Sequence, residues 1–141
     1  MTRRWVVWAL VAYLVVAALV LLAPVSYSEI IVGVWSWLRN DLGWLWFGAG
    51  WVEFAANVVM FLPLGFLLTL LLRHHVWGFV LALTLSVAAE LVQSVIPSRV
   101  PSPRDVLANA LGAALGAALA WLLVIRRERR AEQTADRNPA R

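Results

Sequence analysis

The chain has 141 residues, of which 62% are hydrophobic and 14% are charged, and its mean hydropathy is +0.79. A soluble domain is about half apolar, so this composition excludes an ordinary water-soluble fold and leaves room for one small membrane domain. The formal net charge is +4, and all twelve basic residues are arginines that lie mostly at the edges of apolar runs. This distribution favours the positive-inside pattern of a membrane protein over nucleic-acid binding.

Four apolar runs predict four transmembrane helices. Residues 5–23 form an unbroken run that matches the ~20 residues needed to cross a ~30 Å hydrocarbon core. Residues 54–72, 76–96 and 105–125 form three further runs of similar length. The turn between the second and third runs is short, so these two helices are predicted to be antiparallel neighbours. The predicted fold class is all-α, a polytopic membrane protein with a four-helix transmembrane bundle in residues 1–125.

A Trp-rich segment, residues 24–51, separates the first two predicted spans. Trp prefers the headgroup level of a membrane, so this segment is predicted to lie along the interface. Residues 29–38 are predicted to form a short amphipathic helix that ends at a turn signal beginning with Arg39. We favour a role for the Trp rings in anchoring this segment at the interface over a role as a surface that contacts carbohydrate or lipid.

The arginines also predict the topology. Residues 126–141 are charged and lack an apolar stripe, so they are predicted to form a disordered cytoplasmic tail. In a four-span arrangement, Arg3, Arg4, Arg73 and the arginines of this tail fall on one side of the membrane. The chain is therefore predicted to be a multi-pass protein of the bacterial cell membrane with both termini in the cytoplasm.

Polar residues at the ends of three predicted spans form the candidate site. Each pair is spaced three or four residues apart and so shares a helix face: Glu53 with Asn57, Glu90 with Gln93, and Asp105 with Asn109. Polar groups at this depth are costly and are commonly functional. The topology brings these faces to one depth, and we predict an outward-opening pocket. The candidate ligand-binding residues are Asn57, Glu90, Gln93, Arg99, Arg104, Asp105 and Asn109.

The residue types limit the chemistry of this pocket. Arginine forks bind phosphate or sugar headgroups, and Glu90 with Asp105 are the candidate catalytic acid and base. Arg99 is the predicted ionic partner of Glu90. No metal site or cofactor is predicted, and a non-enzymatic protein is favoured over an enzyme. The structural alternative is a hydrogen-bond network that only fixes helix packing.

The fourth predicted span also contains the GxxxG pattern Gly112 to Gly116, which lets a neighbouring helix approach closely. Packing within the bundle is favoured over dimerisation for this pattern.

The hinge between the third and fourth predicted spans, together with the span ends that flank it, carries a recognisable arrangement of residues. Glu90-x-x-Gln93, Arg99 and Asp105-x-x-x-Asn109-x-x-Gly112, preceded by Asn57, Phe61, Pro63, Leu64 and Gly65, resemble the VanZ-like family of small bacterial integral membrane proteins. The resemblance covers residues 53–121. It implies an association with resistance to the glycopeptide antibiotic teicoplanin and implies no settled biochemical activity.

Composition, pocket and resemblance together predict a protein that binds an envelope lipid or glycolipid headgroup and so modulates glycopeptide susceptibility. Its expected partners are membrane lipids, including a lipid-linked cell-envelope precursor or a lipoglycopeptide. One alternative is a membrane enzyme that acts on such a precursor with Glu90 and Asp105. Another is a structural membrane subunit whose polar residues only fix helix packing. The oligomeric state stays open.

Overall fold

The computed structural model describes residues 3–22, 27–44, 48–93, 102–128, 130 and 133. Within these ranges the chain is helical and contains no strand, which confirms the all-α prediction. A π-helical segment, Trp121–Ile125, continues the last helix. In chain order the helices are α1 (Arg3–Leu22), α2 (Tyr27–Asn40), α3 (Ala49–Leu72), α4 (His75–Gln93) and α5 (Pro103–Ala120).

Local sequence explains where α3 and α5 begin and end. Gly48 is extended and precedes α3, and Arg73 ends that helix in the left-handed conformation with φ 53°. Pro103 opens α5 directly after the extended residue Ser102, a position where the missing N–H of proline costs nothing. The helix over residues 29–38 is present as the slightly longer α2, and α3 begins five residues before the predicted position 54.

Helix α3 is the centre of the bundle, since it packs against α5, α4, α1 and α2. Its closest neighbour is α5, and glycines permit the approach. A Cβ atom added to Gly112 would lie 2.3 Å from the carbonyl oxygen of Val58, and one added to Gly116 would lie 2.0 Å from that of Leu62. The interpretation of this GxxxG pattern as a packing surface within the chain is therefore confirmed.

Helix α1 packs against α3 and against the end of the last helix. Val6 of α1 is buried in a cluster with Leu67, Leu70, Ala120 and Ile125. The hydroxyl of Tyr13 donates a hydrogen bond to the backbone carbonyl of Met60 in α3. Apolar packing and one polar contact thus fix α1 against the central helix.

The distribution of side-chain sizes across α5 is opposite to that of a water-soluble helix. The buried face of α5 is made of small residues, whereas large leucines at four-residue spacing form its exposed face. A contiguous leucine face is costly in water but is compatible with lipid, where small residues form the helix contacts. The exposed leucines of α5 are Leu107, Leu111, Leu115 and Leu119, and Leu122 in the π-helical segment is also exposed.

In the part of the chain that the structure describes, two helices are long and apolar enough to cross a membrane, Ala49–Leu72 and Pro103–Glu128. Within the described residues, His75–Ala88 is a shorter apolar helix. The four-span prediction is thus supported for its second and fourth spans. For α1 and α4 a membrane crossing stays a prediction.

Candidate functional site

The first polar contact of the site joins α3 to α5. The side-chain amide nitrogen of Asn57 donates to a carboxylate oxygen of Asp105 at 3.1 Å. Both residues are partly buried. Asp105 lies in the first turn of α5, where the helix dipole favours a negative charge. The carboxylate is therefore stabilised by its position in the helix as well as by the amide.

The second contact lies one turn deeper and joins α5 to α4. The side-chain nitrogen of Asn109 donates to the hydroxyl oxygen of Ser86 at 2.9 Å, and both residues are buried. The side-chain oxygen of Asn109 is also buried and has no hydrogen-bond donor among the described residues. An unsatisfied buried acceptor costs about 1–3 kcal/mol, so this oxygen is a position where a donor would be favourable.

A stacked arginine lies beside these contacts. The guanidinium carbon of Arg104 is 5.0 Å from the ring centroid of Trp51 and 5.7 Å from that of Phe54. A Cβ atom on Gly50 would lie 2.8 Å from a terminal nitrogen of this guanidinium. The glycine therefore leaves the space that the arginine occupies. Stacking holds the planar group while leaving its N–H donors at the edge of the plane.

The other predicted polar residues on α3 and α4 belong to the helices that form these contacts. Glu53 is half-buried on α3, one turn before Asn57. Glu90 and Gln93 belong to the last turns of α4, and their side chains lie outside the described residues. Arg99 also lies outside the described residues, so the predicted pairing of Arg99 with Glu90 stays a prediction.

Sequence reasoning missed Ser86 and Phe54. Ser86 precedes Glu90 by four residues and Gln93 by seven, so it occupies the same helix face one turn further from the hinge. Extending that polar face by one turn would have identified it. Phe54 carries no comparable signal, because an aromatic residue at the mouth of an apolar run is common in any membrane helix.

The arrangement defines the available chemistry. An amide, a carboxylate and a buried amide oxygen offer both donors and acceptors, which is what hydroxyl-bearing ligands require. The adjacent guanidinium offers charge-assisted bonds to a phosphate. Among the described residues, no three His, Cys, Asp or Glu side chains converge as metal ligands would.

The fold and the site define a membrane-associated helical bundle with a polar cluster where α3, α4 and α5 meet. This polar cluster consists of Asn57, Ser86, Asp105 and Asn109, with Arg104 beside them. The model of the VanZ/LLP1 family matches residues 8–124, and the chain therefore belongs to this family. The match includes every residue of the polar cluster. Comparisons with curated proteins and with solved structures gave no match.

Proposed function

We propose that this protein crosses the membrane four times and binds an envelope lipid or glycolipid headgroup at the polar cluster. By doing so it modulates susceptibility to teicoplanin-type glycopeptides. The observation that carries the proposal is the convergence of α3, α4 and α5 through two side-chain hydrogen bonds beside a stacked arginine.

Exposed apolar surface supports the two additional spans, α1 and α4. Large hydrophobic side chains protrude from α1, with Trp8 70% exposed and Leu19 64% exposed. On α4, Trp77 is 62% exposed and Leu91 is 65% exposed. Large apolar side chains that protrude from the same helix are costly in water, whereas hydrocarbon covers them without cost.

The pairing of Asn57 with Asp105 supports recognition of a hydroxylated headgroup. One 3.1 Å hydrogen bond uses a single N–H of the amide and a single lone pair of the carboxylate. A carboxylate has several lone pairs, so Asp105 can accept from ligand hydroxyls in addition to the amide of Asn57. Sugar and glycerol headgroups present adjacent hydroxyls that suit such an arrangement.

Arg104 supports a phosphate in the same ligand. It follows Ser102 and Pro103 at the first turn of α5. Its guanidinium lies beside the backbone of Gly50 and over the rings of Trp51 and Phe54. A preorganised guanidinium loses little side-chain entropy on binding and can form a bidentate contact with phosphate. A phosphate next to hydroxyls is the chemistry of a lipid-linked envelope precursor.

Drug susceptibility tests this proposal. The native protein is overexpressed in a Gram-positive host, and susceptibility is measured with a lipid-anchored glycopeptide and with one that lacks a lipid tail. We expect a larger change for the lipid-anchored drug. Asp105→Asn and Arg104→Gln should abolish the difference, because each removes a charge from the shared site.

Asp41→Asn is the matched control, since it neutralises an exposed carboxylate after α2. This variant should behave like the native protein. Equal effects on the two drugs, or full activity of well-expressed Asp105→Asn and Arg104→Gln, would contradict the proposal and favour a packing role for these polar residues.

A further inference from the structure

A cavity lies at the opposite end of the bundle from the polar cluster. Arg73 follows Asn57 by sixteen residues, which is about 24 Å along a helix axis. The cavity has a volume of about 350 Å³ and lies between the start of α1, the end of α3 and the last turns after α5. Its volume is within the range of ~300–1,000 Å³ that is typical of ligand sites.

The cavity has an apolar floor and a charged rim. Val6, Leu70 and Ile125 line the floor and are nearly inaccessible to solvent. Arg3 and Arg73 belong to the lining and are exposed, so the rim can meet a ligand from outside. This division matches an amphiphile whose charged group meets the arginines and whose chain covers the floor.

One acidic residue completes the rim. A terminal nitrogen of Arg73 lies 2.9 Å from a carboxylate oxygen of Glu128, and the Glu128 side chain is 26% exposed. Two arginines and one glutamate leave a net charge of +1 on the lining. The Glu128 carboxylate forms the same kind of ion pair with Arg73 that an anionic ligand would form, and so it competes with such a ligand for the guanidinium.

Two local irregularities occur at this cavity. Val124 and Ile125 in its wall belong to the π-helical segment, a form that is rare and is often found at functional sites. Arg73 adopts a left-handed backbone conformation, which is unfavourable for residues other than glycine or asparagine. Arg73 directly follows the last residue of α3 and belongs to the lining of the cavity.

We infer that this cavity binds the phosphate of an anionic phospholipid from the leaflet at the Arg3 and Arg73 end. Basic pockets between membrane helices bind acidic lipid headgroups, and helix ends lie at the depth of lipid phosphates. The inference rests on the proposed membrane placement of the bundle, but it does not require the headgroup site at Asn57 and Asp105.

Native mass spectrometry of the delipidated full-length chain in neutral detergent tests the inference. The protein is titrated with dioleoylphosphatidylglycerol, dioleoylphosphatidylcholine and inorganic phosphate. We expect one phosphatidylglycerol to bind at least tenfold more tightly than phosphatidylcholine. Arg3→Gln and Arg73→Asn should each weaken phosphatidylglycerol binding about tenfold, the effect of one lost charge-assisted contact. Asparagine is chosen at Arg73 because it tolerates the left-handed backbone.

Matched variants separate this site from general surface charge. Arg126→Gln removes an arginine at the same end that stacks on Trp121 and does not line the cavity, so binding should change less than twofold. Glu128→Gln should strengthen binding by removing the competitor, whereas Glu29→Gln on α2 should not. If Arg73→Asn fails to fold, Arg3→Gln and Glu128→Gln decide the question.

Three results would overturn the inference. The first is equal affinity for the two phospholipids, and the second is an equal loss in Arg126→Gln and Arg3→Gln. The third is displacement of phosphatidylglycerol by millimolar inorganic phosphate, which would make free phosphate the ligand. Phosphatidylglycerol carries a phosphate beside hydroxyls and can therefore also occupy the headgroup site, so the titration is repeated on Asp105→Asn. If the cavity is the site, the preference for phosphatidylglycerol and its loss in Arg3→Gln should both persist in that background.

Discussion

Substitution of Gly112 by alanine tests the close contact on which both the bundle and the polar cluster depend. The new Cβ atom would lie 2.3 Å from the carbonyl oxygen of Val58 and 3.1 Å from the Cβ of Phe61. Ordinary contact begins near 3.4 Å, so α3 and α5 must separate locally by about 1 Å. The obstructing atom belongs to the backbone and cannot rotate away.

The expected cost follows from two opposing effects. Overpacking of a well-packed interface costs about 1–3 kcal/mol. Replacing a glycine inside a helix by alanine stabilises the folded state by about 0.5–1 kcal/mol, because alanine loses less backbone entropy on folding. Because a backbone contact lies at the severe end of overpacking, we expect Gly112→Ala to lower the free energy of unfolding by about 2 kcal/mol.

The same displacement reaches the site. Val58 is adjacent to Asn57, whose bond to Asp105 is 3.1 Å long, and a lengthening of 0.5 Å already breaks a hydrogen bond of this kind. Gly112→Ala should therefore reduce headgroup binding as well as stability. Reversible unfolding in mixed detergent micelles measures the first effect.

Gly33→Ala is the matched control, because its Cβ atom on α2 would meet nothing within 4 Å. This variant should be as stable as the native protein or more stable by up to about 1 kcal/mol. If Gly112→Ala unfolds at the same denaturant concentration as Gly33→Ala, α3 and α5 do not approach as the structure shows.

Two further predictions concern the deeper hydrogen bond and the topology. Asn109→Ala and Ser86→Ala should each destabilise the protein by about 1–3 kcal/mol, and the double variant should cost less than their sum, because either change alone leaves a buried partner unsatisfied. Additive values in the same unfolding assay would contradict that bond. Since the chain has no cysteine, Ser102→Cys and His74→Cys report on opposite ends of the bundle. An impermeant thiol reagent applied to intact cells should label Ser102→Cys, and labelling of His74→Cys instead would reverse the predicted orientation.

The helices were predictable because long apolar runs are a strong signal, while their ends were less so. The predicted second span began at residue 54, yet α3 begins at Ala49 and includes Gly50. Hydropathy marks only the part of a helix that can lie in hydrocarbon, and it cannot register a helical turn at the interface.

Helix periodicity placed polar residues on common faces, and the structure does bring Asn57 to Asp105. The pairing of residues between helices depends on how each helix is rotated about its axis and shifted along it. The glycine contacts between α3 and α5 set both of these. For this reason the pairing of Asn109 with Ser86 was not predictable from spacing alone. The roles of Glu90, Gln93 and Arg99 in binding stay predictions.

The most direct test of the central claim is identification of the lipid that copurifies with the protein from a Gram-positive host, by native mass spectrometry. The account predicts an envelope lipid other than phosphatidylglycerol, with a phosphate and a hydroxylated headgroup, bound to the native chain and to Asp41→Asn but lost from Asp105→Asn and Arg104→Gln. Retention of the same lipid in all four proteins, or no such lipid on the native chain, would contradict the account.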